Sequence, residues 1–253
     1  MKRRLLISGG AVVVAAVLAA VGVWYFYLRS DAPEEVSLEG ALETVRTPTA
    51  AAGSGGTPAA TAPASGGQQG SGQAAGVAGT WGIASQGETF VGYRVKEELA
   101  QVGAVTAVGR TKDVKGTVTI QGNTVKAGSS FTANMQALQS DRSQRDNALR
   151  RQALETDRFP TSTFTLSEDV TLPEGFANGE EFSTTLKGKL ELHGVTRAVE
   201  IPVQAKVESG LIVVVGSAEI VFADYDIAQP RAAIVLSVED RGVLEFQLVL
   251  ARN

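Results

Sequence analysis

The chain has 253 residues, a net charge of −4, a single histidine and no cysteine. That composition excludes disulfides, thiolate nucleophiles, zinc–cysteine sites and a cysteine-linked lipid anchor. The acidic balance gives no electrostatic case for nucleic acid or an anionic membrane as partner.

The first element in chain order is a hydrophobic segment. After the basic "MKRR", residues 5–28 contain 24 positions without a charge and end in "WYFYL", followed by Arg29. As a helix they would extend about 36 Å, enough to cross a hydrocarbon core of about 30 Å. A cleavable signal peptide has an apolar region of only about 7–15 residues. Residues 1–30 are therefore expected to be an uncleaved transmembrane anchor, a long removed signal peptide being the other reading. Lys2, Arg3 and Arg4 outweigh Arg29, which leaves the N-terminus in the cytoplasm and the rest of the chain outside it. Residues 31–78 are expected to be a disordered linker. Their first part, "SDAPEEVSLEGALETVR" from residue 30, is acidic and has room for one short helix; the remainder is almost only Ala, Gly, Thr, Ser, Pro and Gln and has nothing with which to build a core.

Residues 79–253 form the expected folded domain, with 18 Lys and Arg against 22 Asp and Glu. Alternating or β-branched runs occur at 89–95, 104–110, 114–120, 124–138, 161–167, 182–192, 197–207, 211–222, 232–238 and 243–251. So many strands with short breaks predict an all-β domain, either a closed antiparallel barrel or a sandwich. Residues 140–160 depart from that period and read as one helix, with Ser143 as cap, Asp146 in the first turn, and Ala148, Leu149, Gln152 and Ala153 at helical spacing.

The only histidine stands in "LKGKLELHGVTRAVEIPV", residues 186–203. Leu186, Gly188, Leu190 and Leu192 share one strand face, and Val195, Val199, Ile201, Val203, Ala205 and Val207 share the facing one. A tight turn around Gly194 joins them, and His193, on the polar parity, is expected at the hairpin tip, facing water. A lone exposed histidine is a poor metal ligand and has no orienting partner for acid–base work. Glu191, Glu200, Asp224 and Asp226 are candidates for a carboxylate pair, against a plain solvated or turn role. Arg142, Arg145, Arg150 and Arg151 are candidates for meeting a phosphate, against a solvated helix face. No nucleophile elbow, zinc-protease motif or phosphate loop is present in the sequence. No enzyme activity, cofactor or metal is expected.

Four stretches together resemble the YceI-like family of extracytoplasmic, lipocalin-like polyisoprenoid-binding proteins: "RDNAL" at 145–149, "DRFPTSTFTLS" at 157–167, the 186–203 hairpin and "FADYDI" at 222–227. The resemblance covers residues 81–250. It implies a lipocalin-like antiparallel barrel with one short helix, whose lumen takes a long apolar chain such as a polyprenyl tail. A barrel of about eight strands has room for one small ligand if its inward faces are apolar. The candidate lumen residues are Phe131, Met135, Phe164, Leu166, Leu190, Ile201, Val203, Phe222, Phe246 and Leu248. The expected function is membrane-anchored, extracytoplasmic binding of a polyisoprenoid or similar amphiphilic lipid. The alternatives are a cell-envelope interaction module with a filled barrel, and a hydrolase or isomerase acting on an amphiphile through carboxylates or His193.

Overall fold

The structure is a computed structural model of the chain and describes residues 32–46, 76–100, 103–231 and 235–253. Strands β1 (Gly79–Ile83), β2 (Phe90–Leu99), β3 (Gly103–Thr111), β4 (Val114–Gln121), β5 (Thr124–Val125) and β6 (Ser130–Asn134) come first, followed by the two-residue β7 (Gln139–Ser140). Then come β8 (Thr161–Leu166), β9 (Val170–Thr171), β10 (Phe182–Leu192), β11 (Val195–Glu208), β12 (Leu211–Val221), β13 (Val235–Val238) and β14 (Arg241–Arg252). Two α-helices are described, α1 (Leu38–Arg46) and α2 (Ser143–Ala148).

The sheet closes on itself. The order β14–β12–β11–β10–β8–β6–β4 is antiparallel throughout, and β1 pairs with both β14 and β4, so eight strands form a ring. Closure removes the unpaired edges that an open sheet would expose. The wall forks along β14. Residues 250–252 pair with β1, whereas residues 243–247 pair with β2, which carries β3 and β7 with it. Closure through β1 therefore serves one half of the barrel, and the β2–β3 hairpin builds the wall of the other. The barrel thus replaces the sandwich as the outcome of the strand pattern.

The sequence pattern runs 124–138 together as one strand; the structure divides it. Gly128 takes φ 87°, a left-handed turn conformation that glycine adopts without steric cost, and separates β5 from β6. Met135–Ala137 is then a turn of 3-10 helix capped by the Asn134 side chain. The helix expected across 140–160 is shorter than its pattern. α2 ends at Ala148 and continues as a π-helical turn, Leu149–Ala153. Ser143 is its first helical residue and not its cap, since Arg142 occupies the cap position without a side-chain hydrogen bond. Asp146 instead folds back to accept from the backbone N–H and hydroxyl of Ser140, tying the helix to β7.

Residues 32–46, assigned from sequence to the linker, are packed on the outside of the barrel. Leu38, Ala41 and Leu42 of α1 are buried against Val213 and Val215, the outward residues of β12. Arg94 and Arg110 both hold the fully buried Glu245, at 2.6 and 2.7 Å, and Arg94 donates to the carbonyls of Pro33 and Glu34. At the far end of α1, Arg46 pairs with Glu208 at 3.2 Å. The expected transmembrane segment, residues 1–30, and residues 47–75 of the linker lie outside the described residues. Among the described residues no helix is long and apolar enough to cross a membrane.

Candidate functional site: an apolar lumen

Strand alternation sends every second side chain into the barrel, and those side chains do not fill it. Two adjoining cavities occupy the interior, of about 180 and 150 Å³. Both are walled by Val91, Ser162, Leu190 and Leu244, so one continues into the other. Their combined volume lies near the lower bound, about 300 Å³, of small-molecule sites. The deeper cavity ends against Phe176, carried on the 3-10 turn Glu174–Asn178 and 1% exposed, which closes that end of the barrel. The other cavity opens towards α2, the π-helical turn and residues 227–230.

The hollow has a sequence-level cause. Three large rings pack against inward glycines on neighbouring strands: Phe131 against Gly116, Phe164 against Gly188 and Phe246 against Gly216. A side chain at any of these glycines would collide with the ring, the Gly216 Cβ falling 2.6 Å from Phe246. With glycine there, the ring occupies the wall instead of projecting across the lumen. This is the packing of an aromatic side chain against a glycine gap in a sheet.

All ten candidate lumen residues face this interior. Phe131, Phe164, Leu166, Leu190, Ile201, Val203, Phe246 and Leu248 line the deeper cavity; Met135, Phe222 and Leu190 line the outer one. The sequence reading missed Val91, Tyr93, Val95 and Leu244, although period-two alternation in the runs 89–95 and 243–251 places them inward. It also missed Glu97, which shares the mouth with Arg142, Gln144 and Arg145.

The polar groups of the mouth are paired with one another. Arg145 holds Glu97 at 3.2 Å, both side chains 10% exposed, and also holds Asp141. Arg142 lies 3.7 Å from Asp141. Of the four arginines considered for a phosphate, Arg142 and Arg145 reach the cavity wall; Arg150 and Arg151 do not, and Arg150 donates to the Leu138 carbonyl. Tyr93 adds a buried hydroxyl with no partner among the described residues. Burial pushes this phenol well above its ordinary range; Arg145 opposes the shift, and Asp146, Glu97 and Asp141 reinforce it.

His193 requires a correction. The two-residue loop between β10 and β11 has φ 52° at His193 and 75° at Gly194, a mirror-image turn of the type that suits a tight hairpin. A residue in that turn no longer follows the alternation of the strands. The ring folds back, 9% exposed, edge-on to Phe159 at 4.5 Å, with Nδ1 2.9 Å from the Tyr225 carbonyl. Since a carbonyl only accepts, Nδ1 carries the proton. His193 is thus a buried clasp between the hairpin, the 222–225 turn and the 155–159 loop, and it is absent from both cavity walls. The four candidate carboxylates are not a pair at the lumen either. Glu191 and Glu200 are exposed on the outer face opposite Thr196 and Lys187, and Asp224 and Asp226 belong to the Phe222–Tyr225 turn and its left-handed cap. Among the described residues no cluster of His, Cys, Asp or Glu could hold a metal.

A polyisoprenoid binding domain from Saccharophagus degradans, implicated in plant cell wall breakdown, superposes with a TM-score of 0.52 at 14% identity, covering 68% of this chain and 98% of that one. BcnA of Burkholderia cenocepacia gives 0.49 at 17% identity, over 64% of this chain and 94% of that one. A YceI protein of Campylobacter jejuni gives 0.46 at 18% identity, over 57% and 84%. Comparison with curated protein sequences finds no significant match. The profile of the YceI-like domain matches residues 84–250, which span the barrel from just after β1 to near the end of β14. By that match and by its closed antiparallel barrel, the chain belongs to the YceI-like family.

Proposed function

We propose that the protein binds a polyisoprenoid or similarly long amphiphilic lipid in the barrel lumen, and that it does so outside the cytoplasm, tethered to the membrane by residues 1–30. The observation that carries the reading is the continuous apolar hollow, kept open by rings packed against glycines and ending in a mouth with polar groups. Each methylene moved from water into such a lumen contributes about 0.8 kcal/mol. An apolar chain therefore binds without a catalytic or unpaired charged group. The polar mouth suits the head of an amphiphile, and its internally paired charges suit a head that is not strongly ionic. The Saccharophagus degradans domain described as polyisoprenoid-binding supports the ligand class. A filled barrel, the rival reading, does not agree with the two cavities.

The test is lipid extraction and mass spectrometry of the full chain purified in mild detergent. The expected result is a near-stoichiometric polyprenyl or quinone-like species, lost when the lumen is blocked by Val214→Trp, a substitution on the deeper cavity wall. Recovery of a folded protein without long-chain lipid from several detergents would sink the proposal.

A further inference from the structure

Two large hydrophobic side chains among the described residues stand out to solvent, Leu236 at 64% and Val243 at 37% exposure. They belong to consecutive strands, β13 and β14, at the open end of the barrel, and Val243 itself lines the outer cavity together with Val235 and Val238. The apolar lumen thus runs out onto an apolar rim.

The docked segment 32–46 gives the rim a direction. Its first residues are gripped by Arg94 and Arg110 at Glu245, which pairs with Gly92. Its helix lies further along β14, over Val213 and Val215, whose partners are Val249 and Gln247. Its last residue reaches Glu208, beside the β11–β12 turn at the closed end. The segment therefore runs from the mouth side to the closed side, and the chain before residue 32 leaves from the mouth side. The 24-residue apolar stretch ends at residue 28. The four residues between, 29–32, span at most about 14 Å when extended.

We propose that the rim around Leu236 and Val243 docks on the lipid bilayer, with the barrel mouth facing the membrane. This rests on the anchored, lipid-binding reading above and adds its orientation and contact surface. With segment 32–46 in place, the leash between anchor and barrel is residues 29–32, not the composition-biased stretch 47–75. So short a leash holds the mouth side within reach of the headgroups, where Leu236 and Val243 leave water for the acyl boundary. A lipid tail then passes between bilayer and lumen along one apolar path.

Because the chain has no cysteine, single labels are clean. The full chain is reconstituted in vesicles of phosphatidylethanolamine and phosphatidylglycerol with an environment-sensitive fluorophore on Leu236→Cys, and separately on Asn123→Cys, an exposed position in the β4–β5 turn at the closed end. The expected result is a blue-shifted emission at 236 that nitroxide on the lipid acyl chains quenches, and a water-like, unquenched emission at 123. Water-like emission at both sites overturns the proposal, as does immersion of 123. A blue shift at 236 without lipid quenching also overturns it, because a protein surface then covers the rim. Lipid extraction from the same purified protein before reconstitution keeps the two readings apart. Bound lipid with a water-exposed rim removes the docking alone, and an empty lumen removes the binding reading whatever the probe reports.

Discussion

At the scale of single residues, Tyr93 is the group most out of keeping with its surroundings. Its hydroxyl is buried, without a partner among the described residues, in the wall of a largely apolar cavity. An unsatisfied buried polar group costs about 1–3 kcal/mol. Tyr93→Phe is therefore expected to stabilise the lipid-free protein by about 1 kcal/mol in urea unfolding, and a loss of stability would mean that the hydroxyl is satisfied. The pH dependence follows from the same burial. The folded-state pKa lies above the unfolded one, so the hydroxyl makes stability independent of pH below about pH 10 and lowers it further as pH rises from there towards the folded value. Tyr93→Phe should flatten the alkaline fall in stability, measured by denaturant midpoints from pH 9 to about 12. Tyr93 was legible as an inward residue of an alternating strand. Its unpaired hydroxyl was not, because satisfaction depends on β3, β7 and α2 approaching from elsewhere in the chain. His193 shows the same limit. Alternation predicts residues on strands, and a residue in a mirror-image turn takes its direction from turn geometry and from Phe159, 34 positions earlier.

At the scale of elements, the strands were the most legible part, because β10 and β11 are long and alternate, and β12 and β14 are long and rich in β-branched and apolar residues. β1 escaped the pattern. It is five residues, Gly79–Ile83, with two glycines, and it is a strand because it closes the ring between β14 and β4. The docking of α1 escaped for a related reason. Its apolar stripe is only Leu38, Ala41, Leu42 and Val45, too little to declare a core element without the sight of Val213 and Val215 facing it. The polar half of that contact was hidden as well, since Arg94, Arg110 and Glu245 are far apart in sequence. Glu245 is 1% exposed between two arginines, and breaking a buried ion pair by removing one partner costs about 3–5 kcal/mol. Glu245→Gln is expected to cost that order and to release residues 32–37 first, because Arg94 loses the carboxylate that aims it at the Pro33 and Glu34 carbonyls. Hydrogen exchange should then show lost protection in 32–46 before any loss in β10 or β11. Simultaneous loss in both would mean that the segment is not a separable layer.

At the scale of the whole molecule, the barrel resolves a conflict between stability and capacity. A protein interior ordinarily fills to crystal-like density, and unfilled space forfeits packing contacts. Here the hollow persists because the glycine–ring pairs give the wall its own packing, leaving the centre for something else. The void should then be a stability deficit that the occupant repays. A ligand that binds only the folded state stabilises it by about 2.7 kcal/mol when its free concentration is a hundred times the dissociation constant. Stripping the bound lipid from the full chain, by exchange into a short-chain detergent, should lower the unfolding temperature by several degrees, and returning a long-chain polyprenol should restore it. Val214→Trp makes the complementary case: it fills part of the deeper cavity, so its unfolding temperature should depend less on added polyprenol than that of the parent chain. An equal response in both would place the lipid on the outer surface and not in the lumen. The direction of the two effects is set by one geometrical fact, that the inward faces of eight strands and the turn carrying Phe176 enclose space that their own side chains leave open.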